Sequence, residues 1–446
     1  MFLRKPLGLA VAMLACSAVF SHAKTQAAEV DDRIAELERQ LAELKSLVVS
    51  NKSSIDSNIE TLAVQAEDLD EARPMSKGTK FTYGGYVQLD AIASNYSEGK
   101  PASVMDDLFV PSLIPVEPQS GSGDSYTNTN IHAKSSRFHF GTATQTDAGK
   151  ISSFIELDFI LSGQGDERVS NSFSSRIRHA YLKWDYGGQQ SLLAGQAWST
   201  FFNVGALPDL LDFVGPVGTV FERQPMVRWT SGPWQLAVEN QTTRVNLQGG
   251  GSQLNDAQLL PDLVARYDGR TGDLKWSVAA IGRQLSYEER PAADIEGISD
   301  EQFGYGLSFA GKWNIGRNDL RFMASYGDAL GRYMGLNSFN DGYIDHSGQI
   351  SKIDQWGGFV AYRHYWSDQW RSNLSVSASE ASNPSTAEFD GAGNLAKSYR
   401  SMHINLNYLP APKLQLGGEL MYGVKELEDG RDGDMYRLQF AAKYAF

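Results

Sequence analysis

The last eleven residues alternate without a break. Tyr436, Leu438, Phe440, Ala442, Tyr444 and Phe446 fall on one side of an extended chain, and Arg437, Gln439, Ala441 and Lys443 on the other. A period of two describes a strand with one apolar and one polar face. The same split recurs in Phe303-Tyr305-Leu307-Phe309-Trp313 against Gly304-Ser308-Lys312, and in Leu414-Leu416-Leu420-Tyr422-Val424 against Gln415-Glu419-Lys425. A soluble sandwich alternates too, with its apolar face inward. Periodicity alone therefore leaves two architectures open.

Connection lengths separate them, because barrels that span outer membranes alternate short turns with long loops. Short turns are read near Asp147-Ala148-Gly149, Gly187-Gly188-Gln189, Ser231-Gly232-Pro233, Asp268-Gly269-Arg270, Ile315-Gly316-Arg317, Ser367-Asp368-Gln369 and Pro410-Ala411-Pro412. Between them lie longer connections centred near residues 112, 168, 210, 252, 294, 340, 389 and 429. Eight hairpins give sixteen antiparallel strands over residues 80–446, an all-β transmembrane barrel with both ends on the short-turn side. Closure explains how so polar a chain can sit in lipid, since no sheet edge is left unpaired. Trp184, Trp229, Trp234, Trp276, Trp313, Trp366, Trp370 and Tyr408 stand beside turns, as interfacial girdles require.

The start of the chain gives the compartment. Arg4 and Lys5 precede an apolar stretch over residues 7–20, and Ser21-His22-Ala23 supplies small residues at cleavage spacing, so residues 1–23 read as a signal peptide. Met13-Leu14-Ala15-Cys16 matches a lipoprotein box only loosely, with Met where Leu is preferred. Cys16 is the only cysteine and leaves with the signal, which excludes disulfides and thiolate metal sites in the mature protein. No apolar run of eighteen follows, which excludes a helical membrane protein. A net charge of −13 argues against a nucleic-acid binder.

Residues 29–73 differ in texture from the rest, carrying twelve acidic residues against five basic. Ile34, Leu41, Val48, Ile55, Leu62 and Leu69 recur every seven positions. The companion positions begin with Leu37 and Leu44 and turn polar at Asn51, Asn58 and Gln65. This is the seam of an α-helical coiled coil, and its polar positions fix register and strand number, so a specific oligomer is expected. A lone amphipathic helix on the barrel is the alternative. Arg73-Pro74 ends the helix, and residues 74–79 form a linker.

Taken together, the chain resembles the DcaP-like trimeric porins of Gram-negative outer membranes nearly end to end. The resemblance rests on the acidic heptads and on the first strand Tyr83-Gly84-Gly85-Tyr86-Val87-Gln88-Leu89-Asp90. It continues through Ser136-Arg137-Phe138-His139-Phe140-Gly141, Arg176-Ile177-Arg178-His179-Ala180-Tyr181 and Gly195-Gln196-Ala197-Trp198-Ser199-Thr200-Phe201 to the terminal aromatic. It implies sixteen strands, a homotrimer with a three-stranded periplasmic coil, and uptake of small anions such as dicarboxylates. It also implies that Phe446 is the signal read by the barrel-assembly machinery.

The polar parity of each strand should line a pore. Arg137, Arg228, Arg266, Lys275, Arg283, Lys312, Arg321, Arg363, Arg371, Arg437 and Lys443 fall there, against Glu156, Asp158, Glu239, Asp262 and Glu419. Rings of Arg or Lys favour anions, and guanidinium matches a carboxylate with two parallel hydrogen bonds. The bland reading has these charges cancel across the wall, but the basic surplus favours anion selectivity. Arg176 and Arg178 are placed with this set, although Ala180, Leu182 and Trp184 share their parity, which leaves either a bulge or a misread face there.

The third long connection is apolar where an outer loop should be polar, with Leu207-Pro208-Asp209-Leu210-Leu211-Asp212-Phe213 and then Val214-Gly215-Pro216-Val217-Gly218. It is expected to fold into the barrel as a constriction running to Glu222 and Arg223, with Asp209 and Asp212 facing the arginines. A contact surface between protomers is the competing reading. Asp106-Asp107-Leu108-Phe109-Val110-Pro111 in the first loop suits either role.

No phosphate loop, nucleophile elbow or metal-spaced histidine pair appears. Neither catalysis nor a cofactor is expected. The expected partners are outer-membrane lipid, the assembly machinery, other copies of the chain and small anionic solutes. A barrel-anchored adhesive coiled coil is the alternative, but adhesins of that kind build one barrel from three chains, and this chain carries enough strands to close alone.

Overall fold

The computed structural model describes residues 39–40, 78–102, 107–160, 165–166, 170–255, 260–289 and 299–446. The chain divides into two units, residues 1–77 and 78–446. In the first, Arg39 and Gln40 are described and both are helical. The signal peptide, the rest of the heptad seam with Asn51, Asn58 and Gln65, and the linker up to Lys77 lie outside the described residues.

The second unit is a closed antiparallel barrel of sixteen strands, separated in chain order by the loops and turns above. They are β1 (Thr79–Tyr96), β2 (Tyr126–His132 and Arg137–Thr146), β3 (Gly149–Asp158), β4 (Arg176–Gly187), β5 (Gln190–Trp198), β6 (Arg223–Ser231), β7 (Trp234–Glu239) and β8 (Asp262–Thr271). They continue as β9 (Leu274–Glu288), β10 (Ser299–Ile315), β11 (Asn318–Gly327), β12 (Asp354–Tyr365), β13 (Trp370–Ser382), β14 (Ala396–Ala411), β15 (Leu414–Leu427) and β16 (Asp432–Ala445). Each strand pairs with the next, and β1 closes the sheet on β16 from Tyr86 opposite Ala445 to Tyr96 opposite Met435. The two parts of β2 are one interrupted partner of β1, which meets Asp90–Tyr96 with the first part and Thr79–Tyr86 with the second. Four residues, 133–136, face three on β1 at the break. Gly85 sits beside it with φ of +152°, and a Cβ there would fall 2.1 Å from the Arg137 carbonyl oxygen, so only glycine fits.

All seven short turns are present, two of them displaced. The β8–β9 turn lies at Gly272-Asp273 instead of residues 268–270, because β8 runs on to Thr271. Gly269 is a strand position there, covered by the ring of Trp276, which leaves no room for a Cβ. The β14–β15 turn falls at Pro412-Lys413. At Gly188 and Gln189 both φ values are +60°, the mirror-image turn whose twist suits a two-residue hairpin.

The parity read from the sequence holds along the strands. Phe303, Tyr305, Leu307, Phe309 and Trp313 of β10 and Tyr436, Leu438, Phe440 and Tyr444 of β16 are exposed on the outer face, while Ser308, Arg437 and Gln439 are buried inside. The turn-side aromatics form one girdle, with Trp234 on Tyr267 at 4.8 Å, Trp370 on Tyr408 at 4.4 Å, and Trp229 Nε1 donating to the Tyr186 hydroxyl at 2.8 Å. The opposite rim uses other residues, among them Tyr305 with Tyr326 and Tyr422 with Tyr436. On the loop side, Thr243–Asn246, Ser252–Asn255, Gly342–Ile344 and Ile350–Lys352 make a separate four-stranded sheet that joins two loops.

On β16, Phe440 lies midway between Tyr436 and Tyr444 on the outer face. Phe440→Arg is expected to cost about 2–4 kcal/mol and Tyr444→Arg about 0–1 kcal/mol, because a charge on the outer face is costlier nearer the bilayer midplane. Denaturant unfolding of the protein refolded into lipid vesicles checks this. Equal costs would contradict the assigned faces.

Candidate functional site: the lumen and its internal loop

The third long connection, residues 199–222, runs inside the barrel. Its orphan backbone groups are met by wall side chains, as burial demands. The Thr200 N–H donates to Glu239 Oε1 at 2.7 Å, the Leu211 N–H to Glu419 Oε2 at 2.6 Å, and the Val217 N–H to Ser401 Oγ at 3.3 Å. In return the Arg266 guanidinium donates to the Phe202 carbonyl at 2.8 Å, Arg321 to the Leu207 carbonyl, and Asn405 to the Asp209 carbonyl at 2.9 Å. These fastenings come from β7, β8, β11, β14 and β15. The loop therefore lines that side of the barrel, and its apolar residues are buried within it: Phe201, Phe202, Ala206, Val214, Val220 and Phe221 form one cluster with Tyr333 and Met334 of a later loop. The first loop enters as well, with Phe109 buried edge-on to His403 at 5.2 Å.

The basic residues divide into two sets. Arg266, Arg321, Arg363 and Arg371 serve as fastenings on the loop's side of the lumen. Arg266 pairs with Asp268 at 2.5 Å and Arg321 with Asp319 at 2.7 Å. Arg363 meets both Asp319 and Asp209, and Arg371 Nε donates to Asp209 at 2.6 Å. Asp209 thus lies between Arg363 and Arg371. Asp268 is a strand residue where the sequence reads a turn, and Asp319, on the inward parity of β11 just after a short turn, is a lumen carboxylate absent from the sequence-based set.

The second set lines the wall opposite. Glu156 and Asp158 of β3 stand among Arg137 of β2 and Arg176 and Arg178 of β4. Arg178 reaches Glu156 at 2.9 Å and Asp158 at 2.7 Å, Arg176 reaches Asp158 at 2.7 Å, and Arg137 reaches Glu156 at 3.5 Å. The bulge suspected in β4 is present. Glu156 pairs with His179 and Leu157 with Ile177, so Arg178 is the extra residue and the parity changes across it. Arg176 and Arg178 consequently point inward, although Leu182 and Trp184 on the far side of the bulge point to lipid. Arg223, at the start of β6, lies over the ring of Trp198 at 4.8 Å, and its buried Nη1 has no hydrogen-bond partner among the described residues. Among the same residues Arg228 of β6 makes a long contact to Gln235, at 3.5 Å.

Three expectations need correction. Arg283 is not open to solutes. Its side chain is fully buried, paired with Asp262 at 3.1 Å and Asp341 at 2.6 Å, and it donates to the carbonyls of Ala329 and Thr242 at 2.6 Å. It ties the wall to two outer loops. Asp212 is not ion-paired to the arginine wall among the described residues: its carboxylate accepts the N–H groups of Phe109, Val214 and Gly215 at 3.1, 2.9 and 2.8 Å, and Arg437 acts on it only at longer range. Burial raises its pKa, against the pull of His403 and the Gly215 N–H. Glu222, expected in the constriction, instead ends the internal loop against Arg332 of an outer loop at 3.5 Å, with burial raising its pKa against the pull of Arg332 and Arg223.

At the loop tip, Phe213 reaches the opposite wall. Its ring centroid is 4.9 Å from the Arg178 guanidinium carbon, 5.6 Å from that of Arg176 and 5.7 Å from that of Arg137. Beside it lies a cavity of about 160 Å³ among Tyr86, Arg137, Asp209, Gln415 and Lys443.

A closed sixteen-stranded barrel with a lipid-facing apolar band, a charged lumen and a loop folded across that lumen is the architecture of an outer-membrane channel. The chain belongs to the DcaP outer membrane protein family, whose model matches residues 18–446. No curated protein matches its sequence. Among solved structures it is similar to the outer membrane channel DcaP of Acinetobacter baumannii, at 21% identity and a TM-score of 0.64, over 83% of this chain and 98% of that one. More distant are OmpF of Salmonella typhi in complex with daunomycin (10%, TM-score 0.49, 83% and 99%) and the trimer form of OmpT of Vibrio cholerae (11%, 0.48, 83% and 100%).

Arg283→Met leaves Asp262 and Asp341 buried without their cation, which typically costs about 3–5 kcal/mol. The expected result is a lower unfolding temperature by heat-modified gel mobility, with unchanged reversal potential in a salt gradient. Altered selectivity at wild-type stability would reinstate Arg283 as a pore residue.

Proposed function

We propose that the chain is a passive diffusion channel for small anionic solutes such as dicarboxylates, assembled as a homotrimer in the Gram-negative outer membrane. One observation carries the reading. Arg137, Arg176 and Arg178 share two carboxylates, Glu156 and Asp158, and Arg223 stands over Trp198 with no ion pair among the described residues, so this wall carries more guanidiniums than carboxylates. Guanidinium groups are never deprotonated at working pH, and in a confined lumen their field is less screened than at an open surface. Carboxylates crossing here exchange water for two-pronged hydrogen bonds. Arg228 and Lys443 extend the positive potential to either side, whereas Arg266, Arg321 and Arg363 are largely neutralised by Asp268, Asp319 and Asp209.

Trimerisation is supported by the heptads, with Asn51, Asn58 and Gln65 setting the number of strands in a periplasmic coil. The insertion signal is assigned to Phe446, which ends on the closing seam with its N–H donating to the Gly85 carbonyl at 3.1 Å.

Planar-bilayer recordings in a salt gradient test the channel. The reversal potential should report anion preference, and Arg223→Gln combined with Arg178→Gln should lower the permeability ratio at least about twofold, since both sources of the surplus are removed. Wild-type cation preference would refute the reading.

A further inference from the structure

We propose that Phe213 is a displaceable lid on an anion-binding site formed by Arg137, Arg176 and Arg178, and that a carboxylate enters by pushing its ring aside. The inference rests on the anion-channel reading and adds a residue that controls it.

The loop tip is held rigidly up to this point. Asp212 clamps the turn through the N–H groups of Phe109, Val214 and Gly215, and Gly215, with φ of +98°, occupies a conformation other residues avoid. The Leu211 N–H is fixed on Glu419. These contacts aim the Phe213 side chain across the lumen at the basic wall. Elsewhere the loop is fastened to the wall by hydrogen bonds and ion pairs, among them Arg266 to Phe202 and Arg371 to Asp209. The Phe213 ring packs on one side against the buried apolar cluster of the loop and meets the basic wall through its π face, where Arg137 also lies over Tyr86 and Arg178 over Trp198.

That contact is the weakest of the loop's attachments and the one a ligand can replace. A guanidinium presents its N–H edge to carboxylates and its flat face to aromatic rings. On this wall Glu156 and Asp158 take some of the N–H donors, while one ring serves three guanidiniums at 4.9, 5.6 and 5.7 Å. Charge-assisted, two-pronged hydrogen bonds to an entering carboxylate exceed a cation–π contact with a single shared ring. The exchange therefore favours the anion, whereas a cation or neutral solute has nothing with which to displace the ring. Phe213 itself lines the adjoining cavity of about 160 Å³, so moving its ring joins that space to the guanidiniums.

Single-channel recording of the full-length assembled protein, with succinate as the probe, tests this on Phe213→Ala, Phe213→Tyr and wild type. Phe213→Ala should raise open conductance and lower the half-blocking succinate concentration about threefold, because the anion no longer competes with the ring. Phe213→Tyr, which keeps the π face, should stay near wild type. Heat-modified mobility establishes that each barrel is folded, and if the alanine variant fails to assemble, Phe213→Leu carries the same expectation. Unchanged conductance and block in the alanine variant would overturn the lid. So would weaker succinate block, which would make the ring part of the binding surface instead of its cover. A cation-preferring wild type defeats the channel reading itself, whereas an anion-preferring wild type with an unresponsive variant defeats the lid alone.

Discussion

In hydrocarbon, a backbone N–H or carbonyl without a partner costs several kcal/mol. The architecture follows from that. A sheet in lipid must close on itself, so β16 must find β1, and closure fixes for every strand which parity faces lipid and which faces the lumen. Charge can then be placed in the lumen only on one residue in two, unless the ladder is locally broken. The broken places are where the chemistry concentrates. The interruption of β2 brings Ser135 and Ser136 against Gln88 and Asp90, and the bulge in β4 brings in Arg178.

The lumen uses its arginines for two different tasks. Where each guanidinium has a carboxylate and a loop carbonyl, as at Arg266 and Arg321, it holds the internal loop and little field remains. Where three share two carboxylates and Arg223 adds a fourth guanidinium over Trp198, a field persists. The fastened side makes the lumen asymmetric, with the loop held against one wall and the guanidinium-rich wall opposite. One ion-paired wall and one surplus wall, separated by a loop, give a narrow passage whose charge does not depend on the passage being narrow.

Much of this was legible in the sequence. Alternation, turn spacing and the apolar third loop gave the strand number, the outward faces and the inward course of residues 199–222, because these depend on local patterns. What escaped depends on partners distant in sequence. Parity placed Arg283 inside the barrel, but its silencing needs Asp341, which arrives from an outer loop. Asp212 lay in a loop correctly read as internal, yet its role is set by its own backbone and by Phe109. Gly269 looked like a turn because the Asp-Gly pair is a strong turn signal, and only the packing of Trp276 shows otherwise.

The extra residue in β4 also bears on how such channels diverge. Losing one residue at Arg178 would restore regular pairing with Arg176 still in the lumen and Ile177 still toward lipid, so the basic wall would lose a guanidinium without any neighbour changing face. A gain or loss of one codon at a strand position can therefore rewrite the ion preference of a barrel in one step while leaving its outline intact. Families built on this fold have a route to new permeants that substitution-by-substitution comparison of their pore residues will not register.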